Sequence, residues 1–210
     1  MTFRTTRPPL MLDLCAGLGG ASAAMRERGW RVVRVELEPR FKSEVVADLR
    51  AWSWSGERPD FIWSSPPCTE FSRNSLPWCH HRECVGTVQP CGHKAAPSLQ
   101  LVQACIRVIQ ECRPRWWCIE NVRGAVKWFR PLLGAPIYRT GPIRLWGALP
   151  ALCAMPKVRA YKERISGERP DLRSLIPAEV SAAVADSIEL ALRSCAPAAP
   201  VLRAVGGGER

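Results

Sequence analysis

Two consecutive prolines closing a strand-like run constrain this chain more than any other feature: Phe61-Ile62-Trp63-Ser64-Ser65-Pro66-Pro67-Cys68-Thr69-Glu70-Phe71-Ser72. Each proline fixes its own φ and pushes the preceding residue to an extended conformation, so the strand must stop here. The next side chain, the thiol of Cys68, is thereby presented rigidly at the edge of a sheet. A reactive cysteine needs a polar, partly exposed setting in which a thiolate can form, and a strand end opening into a Ser/Thr/Glu-rich loop provides one. A buried structural cysteine beside a turn is the plainer alternative, since free cysteines are often buried.

The 210-residue length is that of one domain able to bury most of its apolar surface. No apolar run reaches the ~20 residues that span a bilayer, and the N-terminal stretch lacks an apolar signal segment. A soluble, cytoplasmic protein without a membrane partner, monomeric in solution, is expected. In such a setting the ten cysteines do not imply a disulfide framework. Lys and Arg exceed Asp and Glu by enough to leave a net charge of +11. That balance favours a polyanionic partner, most simply nucleic acid, over a basic surface that serves solubility alone.

Read in order, Leu10 to Cys15 is a compact apolar strand interrupted by Asp13, followed by the turn Ala16-Gly17-Leu18-Gly19-Gly20-Ala21-Ser22. Ala23 to Arg28 reads as a helix ended by Gly29. Strand, glycine turn and helix open a nucleotide-binding α/β fold, in which glycines let the backbone approach a ligand. Trp30 to Val35 is a second strand with Glu36 at its tip, where such folds hold ribose hydroxyls. The turn lacks the G-x-G-x-x-G phosphate spacing, which favours an adenosyl cofactor without a pyrophosphate. A helix is expected from Phe41 to Val46. Asp48 then reads either as an acid facing an adenine amino group or as a helix cap.

Phe61 to Trp63 makes the fourth strand and delivers Cys68. The loop from 73 to 97 carries Cys79, His80, His81, Cys84, Cys91 and His93. That concentration of soft ligands is compatible with a structural zinc on Cys79, Cys84, Cys91 and a histidine such as His93, or with a mobile polar loop. Leu99 to Cys112 is an amphipathic helix with Leu101, Val102, Cys105, Ile106, Val108 and Ile109 on its apolar side. Trp116 to Ile119 is the fifth strand, ending in Glu120-Asn121-Val122-Arg123-Gly124. Its glutamate falls on the same sheet edge as Cys68.

Together, Asp13-Leu14-Cys15-Ala16-Gly17-Leu18-Gly19-Gly20, Val35-Glu36-Leu37-Glu38-Pro39, Pro66-Pro67-Cys68 and Glu120-Asn121-Val122 resemble the first, second, fourth and sixth motifs of the cytosine-5 DNA methyltransferases. They occur in the family's order across roughly residues 10 to 130. The short length, Pro-Pro-Cys-Thr-Glu-Phe-Ser and the later Leu145-Trp146-Gly147 look most like the small bacteriophage and prophage members. The resemblance implies a Rossmann-like S-adenosylmethionine-dependent methyltransferase fold, mostly parallel with helices on both faces. It implies catalysis by Cys68, adding to C6 of cytosine, and by Glu120, relieving charge at N3. Cys15, Ala16, Gly17, Leu18, Gly19, Glu36, Leu37, Asp48 and Pro66 would surround S-adenosylmethionine. The target cytosine in DNA must be flipped or already unpaired.

The departures from the family's pattern are specific. Thr69 stands where the family has Gln. The eighth-motif Gln-x-Arg-x-Arg is absent, leaving Arg139 or Arg144 as substitutes. Only residues 148 to 173, rich in Lys and Arg, replace a separate target-recognition domain, so recognition is minimal or shared with the loop at 73 to 97. There Trp78 reads either as a wedge between bases or as a packing residue. A last helix begins near Ile176 with Val180, Val184, Ile188 and Leu192 on one face, completing a methyltransferase domain over 1 to 194. Residues 195 to 210 read as a disordered tail. Two alternatives stay open: the same chemistry on RNA, and an inactive nucleic-acid-binding module on the same fold.

Overall fold

The computed structural model describes residues 7–71, 97–152, 155–158 and 175–194. Its centre is a seven-stranded sheet of order β3-β2-β1-β4-β5-β7-β6. The strands are β1 (Leu10–Leu14), β2 (Arg31–Glu36), β3 (Val45–Val46), β4 (Phe61–Ser64), β5 (Trp116–Val122), β6 (Tyr138–Thr140) and β7 (Ile143–Ala148). The five strands from β3 to β5 are parallel; β7 runs antiparallel to both β5 and β6. β1 is buried at every position and β4 likewise, as near-continuous apolar runs must be when both faces of a parallel sheet are covered.

The alternation of side chains across the pleat divides the core in two. Met11, Phe61, Trp63, Trp116, Cys118 and Leu145 point to one face, under α1 (Ala23–Glu27) and α4 (Ala178–Arg193). Leu12, Leu14, Ile62, Trp117, Ile119 and Trp146 point to the other, under α2 (Gln100–Cys112) and α3 (Val126–Leu133). The expected α/β architecture, mostly parallel with helices on both faces, is the one observed.

On α4 the anticipated stripe holds: Val180, Val184 and Ile188 are fully buried, and Leu192 packs at the margin. Each fully buried aliphatic side chain stabilises by about 1.5–3 kcal/mol. Ser181 adds a polar tie, donating to Ala21 O at 2.8 Å and accepting from Ala24 N–H at 3.3 Å. The terminal helix thereby caps the start of α1, a five-residue helix with no side-chain cap of its own. Gly20 matters for the same contact, because a Cβ there would lie 2.9 Å from Ile176 O and 2.6 Å from Leu175 Cδ1.

Three expectations require correction. The helix anticipated from Phe41 to Val46 is instead a short 3-10 turn, Pro39–Phe41, followed by β3. Lys42 takes a left-handed conformation with φ 49°, which no helix continues through. The Glu44 carboxylate is drawn across to Arg34 N–H and Nε at 2.9 and 3.0 Å, while the β-branched pair Val45 and Val46 joins Val35 and Glu36. No helix begins at Asp48, so the capping alternative falls: its Oδ1 accepts Arg50 N–H in a turn. Finally, β5 does not stop at Ile119 but runs to Val122, because the unforeseen β7 pairs with it from Trp117 through Val122.

Strand order places the site. From β1 the chain passes to β2 on one side, and later to β4 on the other, so a crevice opens at the carboxyl ends of β1 and β4. The glycine turn leaves β1 and the Cys68 loop leaves β4 at this point. Residues 72–96 lie outside the described residues, with Trp78 and the zinc candidates Cys79, Cys84, Cys91 and His93 among them. The chain on either side of that segment is joined, since Ser98 N–H donates to Glu70 Oε2 at 2.7 Å. The N-terminal arm to residue 6, residues 153–154 and 159–174 of the basic region and the tail from 195 are likewise outside. No described helix is long and apolar enough to cross a membrane.

Candidate active site

The first wall of the crevice is the turn after β1. Cys15, Gly17 and Gly19 all take positive φ, at 57°, 49° and 79°. That is routine for glycine and costly for a cysteine. The turn is held by Gly19 N–H donating to Ala16 O at 2.8 Å. Glu36 locks it to β2: Oε2 accepts Gly17 N–H at 2.9 Å and Oε1 accepts Leu37 N–H at 2.7 Å. Leu18, Leu37 and Val46 stand exposed around this carboxylate. The Cys15 thiol is hydrogen-bonded to that of Cys105 on α2, and this bond together with burial holds it well above the ordinary thiol range. Both oxygens of Asp48 are engaged by Arg50, with Oδ2 2.6 Å from Nη2.

The second wall is the Cys68 loop. Ser65 N–H extends the ladder to Leu14 O at 3.0 Å. Pro66 is buried, and its carbonyl accepts a 2.8 Å hydrogen bond from Asn121 Nδ2. Asn121 Oδ1 in turn accepts Val122 N–H at 2.9 Å. One buried amide on β5 therefore fixes the proline pair that presents Cys68. Farther along, Gly124 is required by close approach, as a Cβ there would fall 1.9 Å from Phe71 O. Cys68 is half-buried. Burial, and secondarily the nearby Glu120 carboxyl, push its thiol up to about 11.

Glu120 is buried on the same edge, and desolvation raises its carboxyl from 4.5 to about 7 against the opposing pull of a hydrogen bond from Ser65. A carboxyl poised there is able to hold or release a proton near neutral pH. The crevice thus joins a presented thiol, a buried proton-carrying carboxyl and a glycine turn braced by a second carboxylate. It matches the order of the four sequence motifs, and the profile of C-5 cytosine-specific DNA methylases aligns with residues 10–129, more than half of the chain.

The chain belongs to the C-5 cytosine-specific DNA methylase family.

Among solved structures, this chain is similar to a protein described as a prophage-encoded DNA modification methyltransferase of E. coli. The identity is 20%, the TM-score 0.44, and the match covers 66% of this chain and 45% of that one. It is also similar to Entamoeba histolytica EhMeth, at 15% identity and TM-score 0.42 over 75% and 58% of the two chains. For the S. pombe Dnmt2 methyltransferase the values are 15%, 0.34, 56% and 36%. The chain spans less than two thirds of the length of each of these proteins. No curated protein sequence matches it.

One acid beside the site was not singled out from sequence. Asp13 is fully buried, and burial raises its carboxyl from 3.8 to about 7 despite a 2.6 Å hydrogen bond from Ser22 to Oδ2. Its Oδ1 has no partner among the described residues. A lone acid inside an otherwise apolar strand was the available signal. The β6–β7 hairpin pairs Arg139 with Arg144, and Arg144 with Asn121. The Arg144 guanidinium is anchored by the carbonyls of Gly141 and Ile143 at 2.8 and 2.7 Å. Burial and the neighbouring charges of Arg123 and Arg139 lower it from the usual arginine value. Three like charges therefore gather at the edge that carries Cys68. Among the described residues no cluster of three or more metal-ligating side chains occurs.

Proposed function

We propose that the protein is a DNA (cytosine-5)-methyltransferase that uses S-adenosylmethionine and a covalent Cys68 adduct at C6 of the target cytosine. The observation that carries the reading is the juxtaposition, on adjacent strand ends, of a thiol fixed by Pro66 and Asn121 with a buried carboxyl that titrates near neutrality.

The residues around the glycine turn fit the cofactor. Glu36 Oε1 accepts the N–H groups of Leu37 and Glu38 at 2.7 and 3.3 Å, whereas Oε2 accepts Gly17 N–H alone, which leaves Oε2 a further lone pair to offer ribose hydroxyls. The exposed side chains of Leu18, Leu37 and Val46 supply the apolar walls an adenosine needs. Cys15, Ala16, Gly17 and Gly19 would line the approach, with Asp48 and Pro66 at its margins. Bound there, S-adenosylmethionine supplies an electrophilic methyl group.

The chain's own residues do the rest. Cytosine C5 is a weak nucleophile until a thiolate adds at C6 and turns the ring into an enamine. Cys68 loses its proton to solvent water, and the thiolate forms the bond to C6 as the C5–C6 π pair moves into the ring. The addition pushes charge toward N3, where the protonated Glu120 carboxyl donates its proton. Once C5 carries the methyl group, solvent water takes the C5 proton, the Cys68–C6 bond breaks with the thiolate departing, and Glu120 recovers the N3 proton. The cluster of Arg123, Arg139 and Arg144 suits the phosphates on either side of a base drawn into the crevice.

The test is nucleoside mass spectrometry of DNA and RNA incubated separately with S-adenosylmethionine and either native protein or Cys68→Ala. The reading expects 5-methylcytosine in DNA with native protein only. Product confined to RNA moves the acceptor, and no product in either abolishes the assignment.

A further inference from the structure

Glu120 has a close partner whose role the chemistry above does not use. Ser64 pairs with Ile119 in the parallel register of β4 and β5, so the next residues outward, Ser65 and Glu120, fall side by side. Trp63 and Ser65 share a face of the extended chain, and Glu120 lies on that face of its own strand. The Trp63 indole N–H donates to Ser65 Oγ at 2.9 Å, and the strand register sets the Ser65 hydroxyl beside the Glu120 carboxyl, whose ionised form it favours.

The donor arithmetic fixes the direction. An indole nitrogen only donates, so Trp63 occupies a lone pair of the Ser65 oxygen. The single hydroxyl hydrogen is then left for Glu120. Neither end of this relay can drift: Trp63 is fully buried, and Ser65 N–H is held by Leu14 O at 3.0 Å.

We propose that Ser65 is a positioning residue for Glu120: its hydroxyl, oriented by Trp63, faces one carboxyl oxygen and fixes the carboxyl plane, leaving the other oxygen to carry the proton exchanged with the substrate. The proposal rests on the reading of Glu120 as proton donor. Its physical content is a balance. Desolvation alone drives a buried carboxyl to hold its proton well past neutrality, while a hydrogen bond to the ionised form draws it back. A group that must both give and recover a proton within one cycle works best between those extremes.

The experiment is a pH titration of protein carrying 13C-carboxyl glutamate, followed by NMR, with the Glu120 signal identified by its loss in Glu120→Gln. Native protein should show a midpoint near the value of about 7 set by burial and the Ser65 bond. Ser65→Ala should move it upward by about one pH unit, as expected for loss of a hydrogen bond to a charged group. Ser65→Thr, which keeps the hydroxyl, should restore it. If the alanine protein does not fold, Ser65→Gly removes the same hydroxyl and carries the test. An unmoved midpoint in the hydroxyl-free variant, or a threonine variant shifted as far, overturns the proposal. Methyl transfer by native protein is measured on the same preparations. Titration as stated without transfer would reject the enzymatic reading while supporting the Ser65–Glu120 couple.

Discussion

At the scale of single residues, the site is governed by what burial does to charge. Asp13 and Glu120 both project from the central strands, and desolvation raises each carboxyl to about 7. In an unfolded chain Asp13 would titrate near 3.8. The stability linked to its proton is therefore full below that value, lost progressively as pH rises through about 7, and absent beyond. Asp13→Asn, with no proton to lose, should flatten this dependence. Urea unfolding at pH 5 and pH 8 should show native protein losing a few kcal/mol across the interval and the variant losing markedly less. Equal losses would mean that Asp13 is not held neutral. Cys68 and Glu120 could be named from sequence because each stands beside local signals, a proline pair and a strand end. Ser65 could not, because its importance lies in a partner, Trp63, and in its place beside Glu120; for Asp13 the one signal was an acid inside an apolar strand, its partner Ser22 being unforeseen.

At the scale of elements, the presentation of Cys68 depends on β5 more than on its own strand. Asn121 reaches from β5 to Pro66 O, and Gly124 just beyond it admits Phe71 O. Asn121→Ala would orphan Pro66 O and Val122 N–H, each at a cost of about 1–3 kcal/mol. It should also let the thiol wander, and misplacement of a reacting group by an ångström can cost about a hundredfold in rate. Equilibrium binding of S-adenosylmethionine, on the far wall of the crevice, should be little changed. Single-turnover methyl transfer should fall by about two orders of magnitude; parallel loss of binding and rate would show instead that the whole crevice had collapsed. The apolar patterns of β1, β4, α2 and α4 were legible because burial leaves period and composition in the chain. The Phe41–Val46 stretch misled for a related reason. It is short, and its state is settled by Lys42 in a left-handed conformation and by pairing of Val45 and Val46 with β2, neither of which local sequence reveals. The β6–β7 hairpin was hidden similarly, since Arg139 and Arg144 look polar and loop-like until β5 supplies a partner.

For the whole molecule, the parallel strands set out a crevice at the point where β1 gives way to β2 on one side and β4 on the other. The antiparallel β6–β7 hairpin adds a basic flank. The net charge of +11 is consistent with a polyanionic acceptor, and the gathering of Arg123, Arg139 and Arg144 beside β5 and β7 gives part of that excess a location. Architecture was legible ahead of the site's wiring because the order of strands, turns and helices is written locally, whereas hydrogen bonds such as Asn121 to Pro66 join residues 55 positions apart. The central claim, a covalent bond from Cys68 to the target base, is tested most directly by trapping it. DNA containing 5-fluorocytosine should be incubated with S-adenosylmethionine and the protein, and the denatured mixture weighed by intact mass spectrometry. Fluorine at C5 leaves no proton to remove, so the adduct cannot be released. The account predicts a species heavier than the protein by the methylated strand, formed by native protein and absent from Cys68→Ala. A native protein that methylates ordinary DNA yet forms no such species, or an adduct that survives in Cys68→Ala, would contradict it.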